Sequence, residues 1–300
     1  MLLTVPFWFP WIGGYTSLAS RVLIYALGAM ALNLLLGFTG CMSFGQAAYF
    51  GLGGYGTGLA LIHLTNSTMV AVFFGTAVGG AAAFIVGPLI MHRRGIYFAM
   101  ITVAVGQIFY FIAERWNSFT GGEDGLTFSR QPIHFGPLVM PLTTVPFYYF
   151  VLFFFAVGAA VMGILLNAPL GHTWVAIREN RRRATFLGIR VERYVWASFA
   201  VAGLLAGLAG SLNALQNNFI SPANLFWIES GNFVIMAVLG GMRSFWGPLI
   251  GSIILFGIQD YVSTYFPNNW EILIGVLFII VVVFFPNGVL GILRRRVKSA

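Results

Sequence analysis

The chain has one lysine, Lys298, and one cysteine, Cys41. A lone cysteine excludes an internal disulfide and a cysteine-built metal cluster. A lone lysine with no glycine-rich approach excludes the G-x-x-x-x-G-K-S/T loop that cradles nucleotide phosphates. Charge of either sign is scarce: 8% of the 300 residues are charged, against about 25% in a soluble domain. That scarcity excludes a soluble fold. The four histidines, His63, His92, His134 and His172, show no metal-ligand spacing. No Ser-His-Asp set or carboxylate pair offers hydrolytic chemistry. No basic residue stands in the middle of an apolar span, and acidic residues inside spans are few, with Asp260 near a span end and Glu229 at a helix start. An ion-coupled pathway normally needs such groups. Catalytic residues, a metal site and a cofactor are therefore not expected.

What the chain does have is apolar length. Hydrophobic residues make up 59% of it, and the mean hydropathy is +0.87. A helix needs roughly 20 apolar residues to cross a bilayer. Segments of that kind run over about 18–38, 43–63, 69–91, 95–113, 144–167, 194–216, 226–242, 246–265 and 271–290. Lipid-exposed backbone must satisfy its own hydrogen bonds, so each is expected as a helix. The expected fold is an all-α, polytopic membrane bundle of about 8–10 helices in a single domain over 1–300. The 43–63 span carries Gly45, Gly51, Gly53, Gly54, Gly56 and Gly58. It is expected to be broken or kinked and packed inside the bundle. Gly203, Gly207 and Gly210 read as a close-packing stripe, and Phe153 to Phe155 as lipid-facing filler. Pro6, Trp8, Pro10 and Trp11 read as interfacial, and the first ten residues do not make a signal peptide.

The net charge is +8. A nucleic-acid partner is not expected, because the arginines sit between apolar spans. All basic residues except Arg21, Arg115 and Arg130 fall at span ends of one side: Arg93, Arg94, the run from Arg178 to Arg193, Arg243, and Arg294 to Lys298. The positive-inside rule makes that side cytoplasmic, with the C-terminus inside and the 114–143 loop, rich in proline and carrying Glu114, Glu123 and Asp124, outside.

The stretch from Trp174 to Arg193 is unlike its surroundings. It is built for water, within a segment of about 168–193 between two spans. At near-helical spacing Ala176, Ile177, Ala184 and Leu187 fall on one side, and Arg178, Arg181, Arg182 and Arg193 on another, with Gly188 as a helix stop. Such a segment docks a soluble partner or rests on anionic lipid heads. Ser43, Gln46 and Tyr49 recur at three-residue steps. They line a translocation path or hydrogen-bond between helices. Asn213 and Gln216, with Asn217 and Asn218, form an external mouth or an ordinary helix end. The string Gly40–Gly45 resembles Gly241–Gly247. An internal repeat and a chance match of glycine-rich strings both account for it.

Several longer strings carry a resemblance. They are Asn33-Leu34-Leu35-Leu36-Gly37-Phe38-Thr39-Gly40, Ser43-Phe44-Gly45-Gln46-Ala47-Ala48-Tyr49-Phe50-Gly51, Ala176-Ile177-Arg178-Glu179-Asn180, Leu187-Gly188-Ile189, Ala206-Gly207-Leu208-Ala209-Gly210, Gly240-Gly241 and Trp246-Gly247-Pro248-Leu249-Ile250-Gly251. Over about Ser17 to Leu293 the chain resembles the permease subunit, of the LivM type, of bacterial branched-chain amino acid ABC importers. It departs at Cys41, where that family usually has glutamine, at Gln46, where it usually has histidine, and near Arg243, where a small residue is usual. The family's N-terminal span looks shortened.

The resemblance implies a non-catalytic transport subunit of the bacterial inner membrane. Its implied partners are a homologous sister permease, cytoplasmic ATPases, an extracytoplasmic substrate-binding protein and membrane lipid. Its implied cargo is a branched-chain amino acid or a related amide, urea or aromatic acid. Trp174, Ala176, Ile177, Arg178, Glu179, Asn180, Ala184, Leu187 and Gly188 would then form the ATPase-coupling segment. A stand-alone secondary transporter or channel is the alternative, and a membrane-embedded enzyme would need a catalytic set that is not found.

Overall fold

A computed structural model describes residues 2–8, 14–135, 138–140, 143–265, 272, 275–276 and 288–290. Ten principal helices make the body. They are α1 (Thr16–Asn33), α2 (Gln46–Leu59), α3 (Thr68–Ile90), α4 (Ile96–Arg115), α5 (Thr144–Asn167), α6 (Pro169–Glu179), α7 (Arg181–Phe186), α8 (Val191–Asn217), α9 (Trp227–Gly240) and α10 (Gly247–Tyr265). Short helical turns occur at Val5–Trp8 and Asn117–Thr120. The all-α membrane bundle read from hydropathy is the observed fold. Five of the described helices are long and apolar enough to cross a membrane. Most of the ninth expected span, 271–290, lies outside the described residues, as do the C-terminal basic run, Pro10 and Trp11.

Burial sorts the spans. The apolar window of Thr16–Thr39 is 89% buried and that of α8 72%, whereas that of α4 is 28% buried. Thus α1 and α8 are central and α4 is peripheral. A helix apolar around most of its length, such as α1 beyond Arg21, belongs in the middle of a bundle.

The glycines explain how α2, α3 and α8 come together. A side chain at Gly53 would run into the Gly207 backbone, and one at Gly79 would lie 2.7 Å from the Gly207 Cα. One at Gly210 would strike the Phe50 carbonyl. Backbone meets backbone here, so dispersion and weak polar contacts act at short range where lipid offers no hydrophobic drive. The close-packing stripe on α8 is thus observed. The phenylalanine run is not uniform filler: Phe153 is exposed, but Phe154 and Phe155 are buried against the bundle. Three successive helical residues point about 100° apart, so they cannot share one lipid face.

The expected break also appears, ahead of α2 rather than inside it. α1 ends in a π-helical stretch, Leu34–Thr39, closed by Gly40 in the left-handed region with φ 76°. Residues 40–45 are irregular, and α2 begins at Gln46. Non-helical backbone at this depth is tolerated because it is enclosed by protein. The Phe44 amide donates to Thr102 Oγ1 at 3.1 Å and the Ala47 amide to Ser230 Oγ at 2.8 Å. The similar string after α9 makes a second helix–break–helix link, which is tied to the end of α1: Asn33 Nδ2 donates to the Ser244 carbonyl at 3.1 Å.

The bundle therefore has two unlike ends. Arg93, Arg94, α6, α7 and Arg243 share one. At the other, β1 (Leu126–Thr127), in the segment after α4, pairs antiparallel with β4 (Phe219–Ile220), which follows α8. Between them in sequence, β2 (Ile133–Phe135) and β3 (Leu138–Met140) form a hairpin. Asn218, left-handed at φ 53°, accepts the Arg130 Nε–H at 3.1 Å, and the Arg130 guanidinium stacks over Phe147 at 4.5 Å. The proline-rich 114–143 segment is thus anchored at its start by backbone pairing.

Candidate functional site

At the basic end, Pro169 opens α6 at its first turn, where a missing N–H costs nothing. The Asn180 side chain caps α7, accepting the Arg183 amide at 2.9 Å. Gly188, at φ 83°, stops it: its amide donates to the Thr185 carbonyl and the Ile189 amide to the Ala184 carbonyl. That pair of bonds is a Schellman closure, so the stop read from Gly188 is observed.

The orientation of the segment departs from the sequence reading. Trp174, Ile177 and Ala184 are buried against this chain's own bundle, and Trp174 Nε1 donates to the Tyr194 carbonyl at 2.8 Å. Ala176 and Leu187, expected on the same face as Ile177, are exposed. The expectation of one continuous outward apolar face is corrected. It assumed one helix, and the break at Asn180 turns α7 away from the phase of α6.

Two arginines expected on a solvent face also turn inward. Arg178 Nη1 donates to the Gly37 carbonyl and packs its stem on Gly40. Arg181 donates to the Met91 carbonyl at 3.2 Å and lies 3.6 Å from Glu192. Burial, and then the nearby Arg94 charge, lower the Arg181 pKa, while Cys41 and Glu192 act the other way. These arginines clamp α6 and α7 onto α1 and the end of α3. What faces outward is Ala176, Glu179, Arg182, Arg183, Leu187 and Gly188. Phe186, 90% exposed, joins Leu187 at 75% to form an apolar tip ringed by arginines. Sequence reading missed Phe186. Its signal was a large aromatic beside a helix stop in a polar segment.

The five path residues are not brought together. Ser43, Gln46 and Tyr49 are buried near the start of α2, where Tyr49 packs edge-on against Phe199 at 5.4 Å. Neither polar atom of the Gln46 amide has a partner. Asn213 is buried near the far end of α8, and Gln216 Nε2 donates to the Ser17 carbonyl at 2.9 Å. Phe199 and Asn213 are separated by roughly 20 Å along α8 at 1.5 Å per residue. Any path they share would be a passage across the bundle, not one binding site.

At the end opposite α6 and α7 lies an open hollow of about 500 Å³ walled by Tyr110, Glu114, Glu123, Phe226 and Glu229. Tyr110 donates to Glu114 Oε1 at 2.7 Å. Among the described residues no group of His, Cys, Asp and Glu is arranged to hold a metal ion.

Residues 14–282 match the family described as "Branched-chain amino acid transport system / permease component". The chain belongs to this permease family. The permease is 26% identical over 307 residues to the high-affinity branched-chain amino acid transport system permease protein LivM of Salmonella typhimurium, covering 95% of this chain and 72% of that protein. It is 25% identical over 287 residues to LivH of Escherichia coli, a permease protein of a system with the same description, covering 89% and 91% of the two chains. The L-arabinose ABC transporter permease protein AraH of Azospirillum brasilense is 26% identical over 212 residues, covering 68% of this chain and 59% of that protein. No solved structure matches significantly. The permease is thus a multi-pass membrane subunit of the ABC-importer class.

Proposed function

We propose that this permease moves branched-chain amino acids, or closely related small solutes, into the cytoplasm, driven by ATP hydrolysis on partner chains. The observation that carries the reading is the family match over 14–282, joined to likeness with both LivM and LivH. In this reading 1–300 is one permease domain that pairs with a sister permease and receives cargo from an extracytoplasmic binding protein. The 168–193 segment faces the cytoplasm and the 114–143 segment faces outside; the arginine distribution supports both, and it puts the C-terminus inside. Lipid surrounds the bundle.

Coupling rests on the tip. Phe186 and Leu187 enter an apolar groove of the ATPase, with Ala176, Glu179, Arg182 and Arg183 around them. Trp174, Ile177, Arg178, Asn180, Ala184 and Gly188 shape that tip from behind. Burying a large apolar side chain contributes about 1.5–3 kcal/mol, enough for two such residues to dominate a small contact. Gln46, Ser43 and Tyr49 toward one end, and Asn213 and Gln216 toward the other, serve as polar stations of the path.

The test is reconstitution in liposomes with and without the sister permease and ATPases. ATP-dependent uptake of labelled L-leucine should need every partner. Uphill uptake by this chain alone, driven by an ion gradient, would support the secondary-transporter alternative and sink the proposal.

A further inference from the structure

Near the outer end of α1, a second and more enclosed cavity of about 220 Å³ lies between α1, α9 and α10. At ~30 Å³ per water molecule it has room for about seven waters, the bulk of a small amino acid. Its walls carry one cation, Arg21, and one anion, Glu229, with the amides of Asn232 and Gln259 beside them. Tyr25 and Phe256, both buried, supply aromatic surface, and Met236 and Leu255 complete an apolar wall. Glu229 also borders the open outer hollow, so the two spaces share a residue.

The arrangement of charge is unusual for a membrane bundle. Arg21 stands five residues inside α1, roughly 7.5 Å beyond its first residue at 1.5 Å per residue. Arg21 is exposed, and an ionisable group placed in a span marks a functional position unless it is neutralised. The obvious neutralising partner is Glu229, which lines the same cavity. Yet the two form no ion pair; the ion pairs among the described residues are Arg178–Glu179 and Arg181–Glu192. Instead each charge is steadied by a group that leaves room for a ligand. Glu229 Oε2 accepts from Asn232 Nδ2 at 3.2 Å. The Arg21 guanidinium lies over the Phe256 ring at 4.7 Å and the Tyr25 ring at 5.7 Å. Stacking engages the flat face of a guanidinium; part of the in-plane N–H fork also reaches the Tyr25 hydroxyl, and the rest stays suited to a carboxylate.

We infer that this cavity binds an α-amino acid as its zwitterion, with the carboxylate on Arg21, the ammonium on Glu229 and an apolar side chain against Tyr25, Phe256, Met236 and Leu255. The inference rests on the importer reading above and narrows it. Urea and simple amides carry neither charge, and aromatic acids lack the ammonium, so each would leave a charged wall group unmatched. An unmatched polar group in a site built to pair it is what rejects a ligand. The acidic hollow outside favours the ammonium end and so admits the cargo with that end toward Glu229.

The test uses the whole importer in liposomes with saturating binding protein loaded with labelled L-leucine, so that uptake reads the permease. Arg21→Gln and Glu229→Gln should each lower maximal uptake by at least about tenfold, the scale of losing one charge-assisted contact. The amount of binding protein needed for half-maximal uptake should not change. Arg21→Lys and Glu229→Asp should keep uptake within about threefold of the parent, well short of a lost contact. The neutral variants transporting like the parent would overturn the inference. So would charge-keeping variants that assemble yet lose as much as the neutral ones, since the role would then be structural. If a neutral variant fails to co-purify with its partners, its charge-keeping counterpart decides by the same threefold limit. A parent complex that carries some other solute but no amino acid would sink the importer reading itself; a parent that carries leucine, with neutral variants unimpaired, would sink the zwitterion site alone.

Discussion

The two ends of this permease treat charge in opposite ways. At the basic end, Arg178 and Arg181 are consumed inside the chain, on the Gly37 and Met91 carbonyls and on Glu192. That leaves an apolar tip, Phe186 and Leu187, projecting among the remaining exposed arginines of a segment that reads as basic. At the other end, Arg21 and Glu229 stand on the walls of one cavity without joining. A charge satisfied within the chain holds the chain's shape, and a charge kept from its natural partner is free for a ligand. The number of arginines in a segment is therefore a poor guide to what the segment contacts.

Substitutions at the basic end break or sharpen this contrast, beginning with the largest effect. Trp174→Ala or Ile177→Asp strikes the inward face of α6, where the side chains are 0% and 3% exposed. Emptying a buried Trp site costs about 3–5 kcal/mol, and a buried unpaired carboxylate is at least as harmful. Both variants should show lower yield and an earlier melting transition in size-exclusion thermostability assays, before any partner is added. A parent-like melting curve would mean the segment does not pack on the bundle. Phe186→Asp and Leu187→Asp should behave differently. Each should express and melt like the parent, and each should lose about 1.5–3 kcal/mol of ATPase association, roughly tenfold or more. A pull-down titration reads this, and unchanged association in both would reduce the segment to a topology signal.

Smaller effects follow. Asn180→Ala removes the cap of α7 and should weaken coupling by about 1 kcal/mol or less, because the turn is also held by Arg181. Uptake measured against ATPase concentration should shift by a few fold at most. At the acidic end, Glu123→Gln removes an exposed charge of the open hollow. Its effect on uptake should be slight and should vanish in high salt, since exposed fields are screened beyond about 8 Å at physiological ionic strength. A large loss that salt leaves untouched would place Glu123 in contact with cargo and redraw the boundary between hollow and cavity.

Much of the bundle was legible in the chain. Hydropathy alone located eight of the ten principal helices to within a few residues, all but α6 and α7, because lipid enforces helical backbone wherever about twenty apolar residues occur together. Gly188 was readable as a stop because positive φ at a helix end selects glycine. The stripe Gly203, Gly207 and Gly210 was readable as a contact face because only small residues let backbones meet.

Tertiary structure alone decided the rest. A helical period is counted from a phase, and the break at Asn180 resets that phase, so no spacing rule separated Ile177, which is buried, from Leu187, which is exposed. Ser43, Gln46 and Asn213 are all polar and buried, yet only the packing of α2 on α8 sets them far apart. Arg21 and Glu229 lie 208 positions apart, and in the sequence they read as one stray basic residue and one helix-start acid. Sequence fixes which residues carry charge and how each helix is patterned. The crossing of α1, α9 and α10 decides which opposite charges face one another across a space, because that depends on how three separate helices pack and on no local pattern in any of them.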